Sequence, residues 1–206
     1  ERKTIEIPMV TSKMLDNNIG YVAVYEFEET TSEQFNQAID ELTAQGMKGL
    51  IIDLRDNPGG LVNSATAILD RILSKDQLLV YTVDKNGKKQ EEYTEDDETI
   101  NVPISVLING NSASASEIVS GCLQDYGKAK LVGTTSFGKG IVQYVLPLGD
   151  GSAIKLTSAK YYTPNGRNIH GTGIDPDVEV ELNSDSETDT QLEKAQEIVL
   201  QEIQAE

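Results

Sequence analysis

Histidine and cysteine are nearly missing from this 206-residue chain, which has one of each, His170 and Cys122. A single cysteine excludes an internal disulfide and a zinc site built from several thiolates. A single histidine leaves any serine nucleophile with few bases to choose from. Cations are scarce too: 17 Lys and Arg stand against 34 Asp and Glu, for a formal charge of −17. That balance argues against a nucleic-acid partner, because phosphate contacts need clustered Lys and Arg. No apolar run approaches the roughly 18 residues needed to span a bilayer. The composition, 38% hydrophobic and 25% charged, suits a globular protein with one substantial core. The chain opens Glu1-Arg2-Lys3 rather than with Met, which implies a piece of a longer protein.

Much of the acid gathers in Glu91-Glu92-Tyr93-Thr94-Glu95-Asp96-Asp97-Glu98 and in the tail from Asp185 onward, as solvated charge does. Cys122 falls in the pattern Ile118, Val119, Cys122, Leu123, the face a helix buries, and reads as packing. A strand is predicted over 4–10, a turn at Asp16-Asn17-Asn18 and a strand over 20–25. Thr31-Ser32-Glu33-Gln34 opens a helix whose apolar stripe is Phe35, Ile39 and Leu42. A buried strand over 49–54 runs into the turn Arg55-Asp56-Asn57-Pro58-Gly59-Gly60, and a helix carrying Ala65, Ile68, Leu69 and Ile72 follows. Strands over 78–83 and 89–93 flank Asn86-Gly87. Then come a strand over 104–108, a helix over 117–126, short strands at 131–133, 141–145 and 153–157, and a closing amphipathic helix over 187–204. Strands alternating with helices predict an α/β fold, with a central, largely parallel sheet, crossover helices and edge hairpins.

Two segments carry chemistry. Asn111-Ser112-Ala113-Ser114-Ala115-Ser116-Glu117 places small hydroxyl residues between the strand over 104–108 and the next helix, where a serine can be exposed beside backbone amides. Ser136-Phe137-Gly138-Lys139-Gly140 follows a short loop and strand later. A serine hydroxyl needs a neighbouring base. His170 lies in a late loop, so Lys139 is the better candidate. A lysine accepts a proton only as the free amine, a form that burial away from water favours. The oxyanion formed on attack needs preorganised N–H donors. The amide after the nucleophile and the glycine amides of the Asn57-Pro58-Gly59-Gly60 turn can supply them. Spacing does not choose among Ser112, Ser114 and Ser116. Ser114-Ala115-Ser116-Glu117 also fits a capping box that merely starts a helix. Arg55, between Asp53 and Asp56, reads as an ion pair that shapes its turn.

Taken in order, Asp53-Leu54-Arg55-Asp56-Asn57-Pro58-Gly59-Gly60, Ser112-Ala113-Ser114-Ala115-Ser116-Glu117-Ile118 and Gly138-Lys139-Gly140-Ile141-Val142-Gln143 resemble the carboxyl-terminal processing peptidases, a family of tail-specific Ser-Lys proteases. Tyr161-Tyr162-Thr163-Pro164-Asn165-Gly166-Arg167 and Gly173-Ile174-Asp175-Pro176-Asp177 extend the likeness, which runs from about Gly20 through Asp177. The resemblance implies a crotonase-like α/β protease core and a serine endopeptidase that cuts near the C-termini of protein or peptide substrates, with no cofactor. It implies Ser114 as nucleophile and Lys139, 25 positions later, as general base. Gln143 matches the residue that orients the lysine in some members, and Asp125 an acidic residue sometimes counted in the site. The oxyanion donors it implies are the amides of Ala115 and of Gly59 or Gly60.

Members of the family usually carry a PDZ domain. The resemblance therefore divides the chain into a strand segment over 1–19 following an absent PDZ domain, a protease core over 20–182, and an acidic linker with a C-terminal helix over 183–206. It places the full-length protein in the cell envelope or outside the cell, membrane-anchored, and allows a homo-oligomer through the helical tail. Two rival readings are a binding scaffold, latent without its PDZ domain, and acyl-CoA chemistry on a crotonase-like scaffold.

Overall fold

The computed structural model describes residues 7–97, 99–182 and 188–205. A six-stranded sheet forms the centre, in the order β1 (Val10–Met14), β2 (Ile19–Val24), β3 (Gly49–Asp53), β6 (Ile104–Ile108), β7 (Ala129–Gly133), β10 (Val178–Glu179). Only β1 runs antiparallel to its neighbour; the other pairings are parallel. Every residue of β3 and of β6 is buried, as expected of a parallel sheet covered on both faces. A second, antiparallel sheet joins β5 (Lys89–Tyr93), β4 (Leu78–Asp84), β9 (Ala153–Tyr162) and β8 (Ile141–Pro147) in that order.

The crossover helices α1 (Thr31–Ala44), α2 (Val62–Ile72) and α3 (Ala115–Asp125) cover one face of the central sheet. Each buries the stripe its periodicity predicts, Phe35, Ile39 and Leu42 in α1 and Ala65, Ile68, Leu69 and Ile72 in α2. α4 (Thr190–Ala205) covers the other face through Ala195 and Val199, both fully buried against Ile51, Leu107 and Val132. Contact is so close that a Cβ on Gly49 would stand 2.3 Å from Val199 Cγ1. The tail helix is thus packed on its own chain.

Two expectations need correction. Of the strand expected over 4–10, residues 4–6 lie outside the described residues, residues 7–9 are not strand, and β1 begins at Val10. Arg55 keeps Asp53 as a partner, at 2.6 Å, but its second is Asp189 at 2.7 Å rather than Asp56. Asp56 instead accepts the side-chain amides of Asn109 and Asn111 at 3.0 and 2.7 Å. Arg55 also donates to Gln191 Oε1 at 3.1 Å, so one guanidinium fastens the start of α4 to the end of β3.

Asp53 is nearly inaccessible, at 8% side-chain exposure, and Arg55 is its cationic partner. Removing one member of a buried pair leaves the other charge uncompensated, which costs about 3 kcal/mol or more. Arg55→Met keeps the packed stem and should lower the free energy of unfolding by that amount, read as a fall in the thermal midpoint, with amide exchange rising first in α4. Asp189 adds a pH signature. Burial raises its pKa, but the Arg55 hydrogen bond, the Leu192 and Gln191 amides and the Arg55 charge together outweigh this and hold it below the ordinary 3.8. A depressed carboxyl contributes stability above its unfolded pKa and loses it as pH falls through the folded value. Wild type should therefore lose α4 anchorage on acidification below pH 3.8, and Arg55→Met should show less of that dependence.

Candidate active site

The loops that leave the carboxyl ends of β3, β6 and β7, three adjacent parallel strands, meet at one end of the central sheet. That end is where open α/β sheets present their sites. The structure separates the three serines that spacing leaves equivalent. Ser112 is buried; its hydroxyl donates to Leu54 O at 2.7 Å and accepts the Asn109 N–H at 2.9 Å. Ser116 is buried and donates to Asn57 O at 3.0 Å. Both hydroxyls therefore staple this loop to the turn after β3. Ser114 is half-buried and, among the described residues, donates to no carbonyl. It stands at the start of α3 with φ 56° and ψ −112°, a conformation L-residues rarely adopt. Such strain costs about 1–3 kcal/mol, and a sharp strand-to-helix turn exposes the side-chain oxygen.

Asn57 builds the facing turn. Buried, it donates from Nδ2 to Val24 O at 2.8 Å and accepts the Gly59 N–H on Oδ1 at 2.9 Å. Gly59 has φ 105°, and a Cβ there would stand 2.7 Å from both Ala113 O and Ser114 Cβ and 3.0 Å from Ala115 N. Only glycine allows this approach, which sets the turn directly against Ser114. Since the Gly59 amide is already engaged by Asn57, the amides with no acceptor among the described residues are those of Gly60 and Ala115. Ala115 lies in the first turn of α3, where amides have no intrahelical partner.

The lysine loop is fixed to the serine loop by two side chains. Glu117 is fully buried, yet its carboxylate has four donors. Oε2 accepts the amides of Ser114 and Lys139, each at 2.8 Å. Oε1 accepts the Gly138 amide at 2.7 Å and the Ser136 hydroxyl at 2.6 Å. Four donors match the acceptor capacity of an ionised carboxylate, and the N-terminal turn of α3 favours negative charge there. Tyr161, also buried, places its hydroxyl 3.0 Å from Ser114 O and 2.5 Å from Lys139 O. Burial, and then the negative charge of Glu117, push its phenol well above the ordinary value, so it remains a donor. Among the described residues no hydrogen bond joins the Ser114 hydroxyl to the half-buried Lys139 amine; the two residues are held together through their backbones.

The other candidates have partners of their own. Gln143 lies on β8 and donates to Thr157 Oγ1 across the strand pair at 3.4 Å. Asp125 ends α3, eleven residues after Ser114 and so about 16 Å along the axis. Its carboxylate pairs with Arg167 and accepts the Asn165 amide at 2.8 Å, pinning the 163–167 turn. His170 is exposed in its loop. Cys122 is fully buried, and burial followed by the Asp125 charge pushes its thiol far up, away from any reactive form. Sequence reasoning treats Glu117 only as half of a capping box, and that half is made; its hold on the lysine loop is the part it misses. Asn57 and Tyr161 are visible only as members of longer motifs.

Ser114→Gly should relieve the strained backbone and raise stability by about 1 kcal/mol, while abolishing labelling by a fluorophosphonate. Melting curves and gel fluorescence on one preparation check both halves. A destabilised Ser114→Gly would show that the turn is not strained.

Residues 18–180 match peptidase family S41. The chain is 42% identical over 183 residues to the carboxy-terminal processing protease CtpB of Bacillus subtilis, covering 86% of this chain and 38% of that protein. It is 40% identical over 185 residues to the carboxyl-terminal-processing protease of Synechocystis sp., covering 87% and 43%. The chain thus spans about two fifths of the length of these curated relatives. Among solved structures, the photosystem II D1 C-terminal processing protease superposes with a TM-score of 0.78 at 30% identity, over 96% of this chain and 54% of the other. The family model covers most of the chain, and relatives named as carboxyl-terminal processing proteases share 40% or more of its residues: this chain belongs to peptidase family S41.

Proposed function

We propose that the chain is the catalytic core of a serine endopeptidase that cleaves near the C-termini of flexible protein segments. One observation carries the reading: a single carboxylate oxygen of Glu117 accepts the backbone amides of both Ser114 and Lys139. Nucleophile and base therefore start from fixed, neighbouring points. Ser114 Oγ attacks the scissile carbonyl carbon while the free amine of Lys139 takes the hydroxyl proton. The tetrahedral oxyanion is received by the amides of Gly60 and Ala115, the two donors left without acceptors. Collapse breaks the C–N bond, and Lys139 returns the proton to the departing amine. Water then attacks the acyl-Ser114 ester and gives a proton to Lys139, which passes it to the departing Ser114 oxygen. The free serine is restored, and the product acid leaves as a carboxylate after losing its own proton to solvent.

Gln143, four residues beyond the lysine, orients the amine in this scheme; Asp125 serves the fold by holding the 163–167 turn. An apolar preference is supported by the arm that leaves directly from the lysine loop. Paired Tyr144 with Leu156 and Leu146 with Ile154 lie on one face of β8 and β9, all exposed. A PDZ domain in the full-length protein captures substrate tails, and that protein works in the cell envelope. Among the described residues no helix is long and apolar enough to cross a membrane, so we assign the anchor to a segment outside this chain. No observation here favours the scaffold reading or acyl-CoA chemistry.

The test is cleavage of an unstructured peptide with an apolar C-terminus, alongside fluorophosphonate labelling. Ser114→Ala should lose labelling entirely. Lys139→Ala should lower kcat/KM by about 10³-fold or more while the melting curve is preserved. Turnover at the wild-type rate in Lys139→Ala would remove the lysine from the mechanism.

A further inference from the structure

Glu117 and Tyr161 touch no reacting atom, yet between them they grip both residues that do. Ser114 and Lys139 each give their N–H to Glu117 Oε2, both at 2.8 Å. Each also has its carbonyl beside the Tyr161 hydroxyl, at 3.0 and 2.5 Å. The backbones of the two residues are thus fixed at both ends, by an acceptor on the N–H side and a donor on the carbonyl side. Among the described residues no other side chain bonds to both loops. The grip also spans two layers of the fold. Glu117 belongs to α3 on the central sheet, whereas Tyr161 lies on β9 of the second sheet, whose edge strand β8 begins just after Lys139.

Packing alone does not account for this arrangement. Among the described residues no cation pairs with Glu117, and a buried carboxylate is a costly way to fill a core. Apolar replacements of buried ionic groups are often neutral or stabilising. What an apolar side chain lacks is direction, and four hydrogen bonds to one rigid carboxylate impose it on two loops at once. Building on the Ser114–Lys139 reading, we propose that Glu117 and Tyr161 are positioning residues that act as one clamp, setting the separation and angle between the backbones of nucleophile and base.

The clamp predicts a defect in turnover rather than in binding. Tyr161→Phe removes the shared donor with almost no change of volume. It should lower kcat about 10- to 100-fold, the cost of a displacement of order 1 Å at reacting groups. KM should stay within about twofold, and fluorophosphonate labelling should slow in parallel with kcat. Glu117→Gln, whose amide cannot accept four donors, should show the same split. The double variant should lose less than the product of the two single losses, because both residues act on one geometry.

Ser114→Ala and Lys139→Ala run beside them as controls. Activity in either control would defeat the underlying Ser-Lys reading whatever Tyr161 does. With both controls inactive, folded Tyr161→Phe and Glu117→Gln variants that keep kcat within about twofold of wild type would overturn the clamp. Losses confined to KM would overturn it as well. So would loss of the fold in both variants, since the two residues would then be holding the core rather than the site.

Discussion

The Glu117 carboxylate is the interaction on which the rest of this site depends. Among the described residues it has no cationic partner, and two loops turn their donors inward to meet its buried charge. The dependence runs both ways. Ser114 cannot hold its strained conformation unless something fixes its amide, and the lysine loop has few internal contacts of its own. Phe137 donates to Ser112 O and Gly138 accepts from Gly171, but the amides of Gly138 and Lys139 go to Glu117. One acid at the third position of a helix thus satisfies the helix start, the strained serine and the lysine loop together.

Everything beneath that carboxylate serves to deliver the loops to it. Parallel pairing puts the carboxyl ends of β3, β6 and β7 side by side, at one end of a sheet whose two faces are sealed by helices. Small residues then allow the loops to close on one another. Gly59 lies against Ser114 Cβ, and Ser112 and Ser116 use their hydroxyls to tie the serine loop to the carbonyls of Leu54 and Asn57. On the opposite face the Asp53–Arg55–Asp189 network locks α4 to the strand that leads into the Asn57-Pro58-Gly59-Gly60 turn. Stability and site geometry therefore share the six residues after β3, where a turn residue's side chain faces α4 and its neighbours face the serine.

Sequence reading succeeds here where a rule is local. Hydrophobic period gives α1 and α2 their buried stripes, Asn86-Gly87 gives the β4–β5 hairpin, and alternation of strand and helix gives the parallel centre. It fails where a partner is distant in the chain. Nothing in Asp53-Leu54-Arg55-Asp56 announces Asp189, 134 positions beyond Arg55, so a local reading stops at the two neighbouring acids. Tyr161 reaches Ser114 across 47 positions and has no periodic signature. Glu117 is the instructive case. The capping-box pattern correctly gives its bond to Ser114, and then conceals a second role, because one carboxylate oxygen accepts from a neighbour three residues away and from Lys139 22 residues away. Spacing leaves Ser112, Ser114 and Ser116 equivalent and the family resemblance implies Ser114; the structure adds a physical reason to prefer it. That reason rests on which hydroxyls are already spent.

A lysine base has greater need of such a clamp than a histidine would. Imidazole is rigid and can be oriented through its second nitrogen, whereas lysine reaches its target on a stem of four carbons with about 2 kcal/mol of rotamer freedom to lose. The two N–H donors of a free amine let a neighbouring acceptor hold its tip while the lone pair stays free, but they do not fix where the stem begins. The place to restrain it is therefore its root. Fixing the peptide units on both sides of Lys139, to the same two groups that fix Ser114, limits the stem's sweep to a cone centred on a constant origin. The remaining freedom lies in the side chain. A bound segment that excludes water from the half-buried amine can then complete the contact without moving either loop.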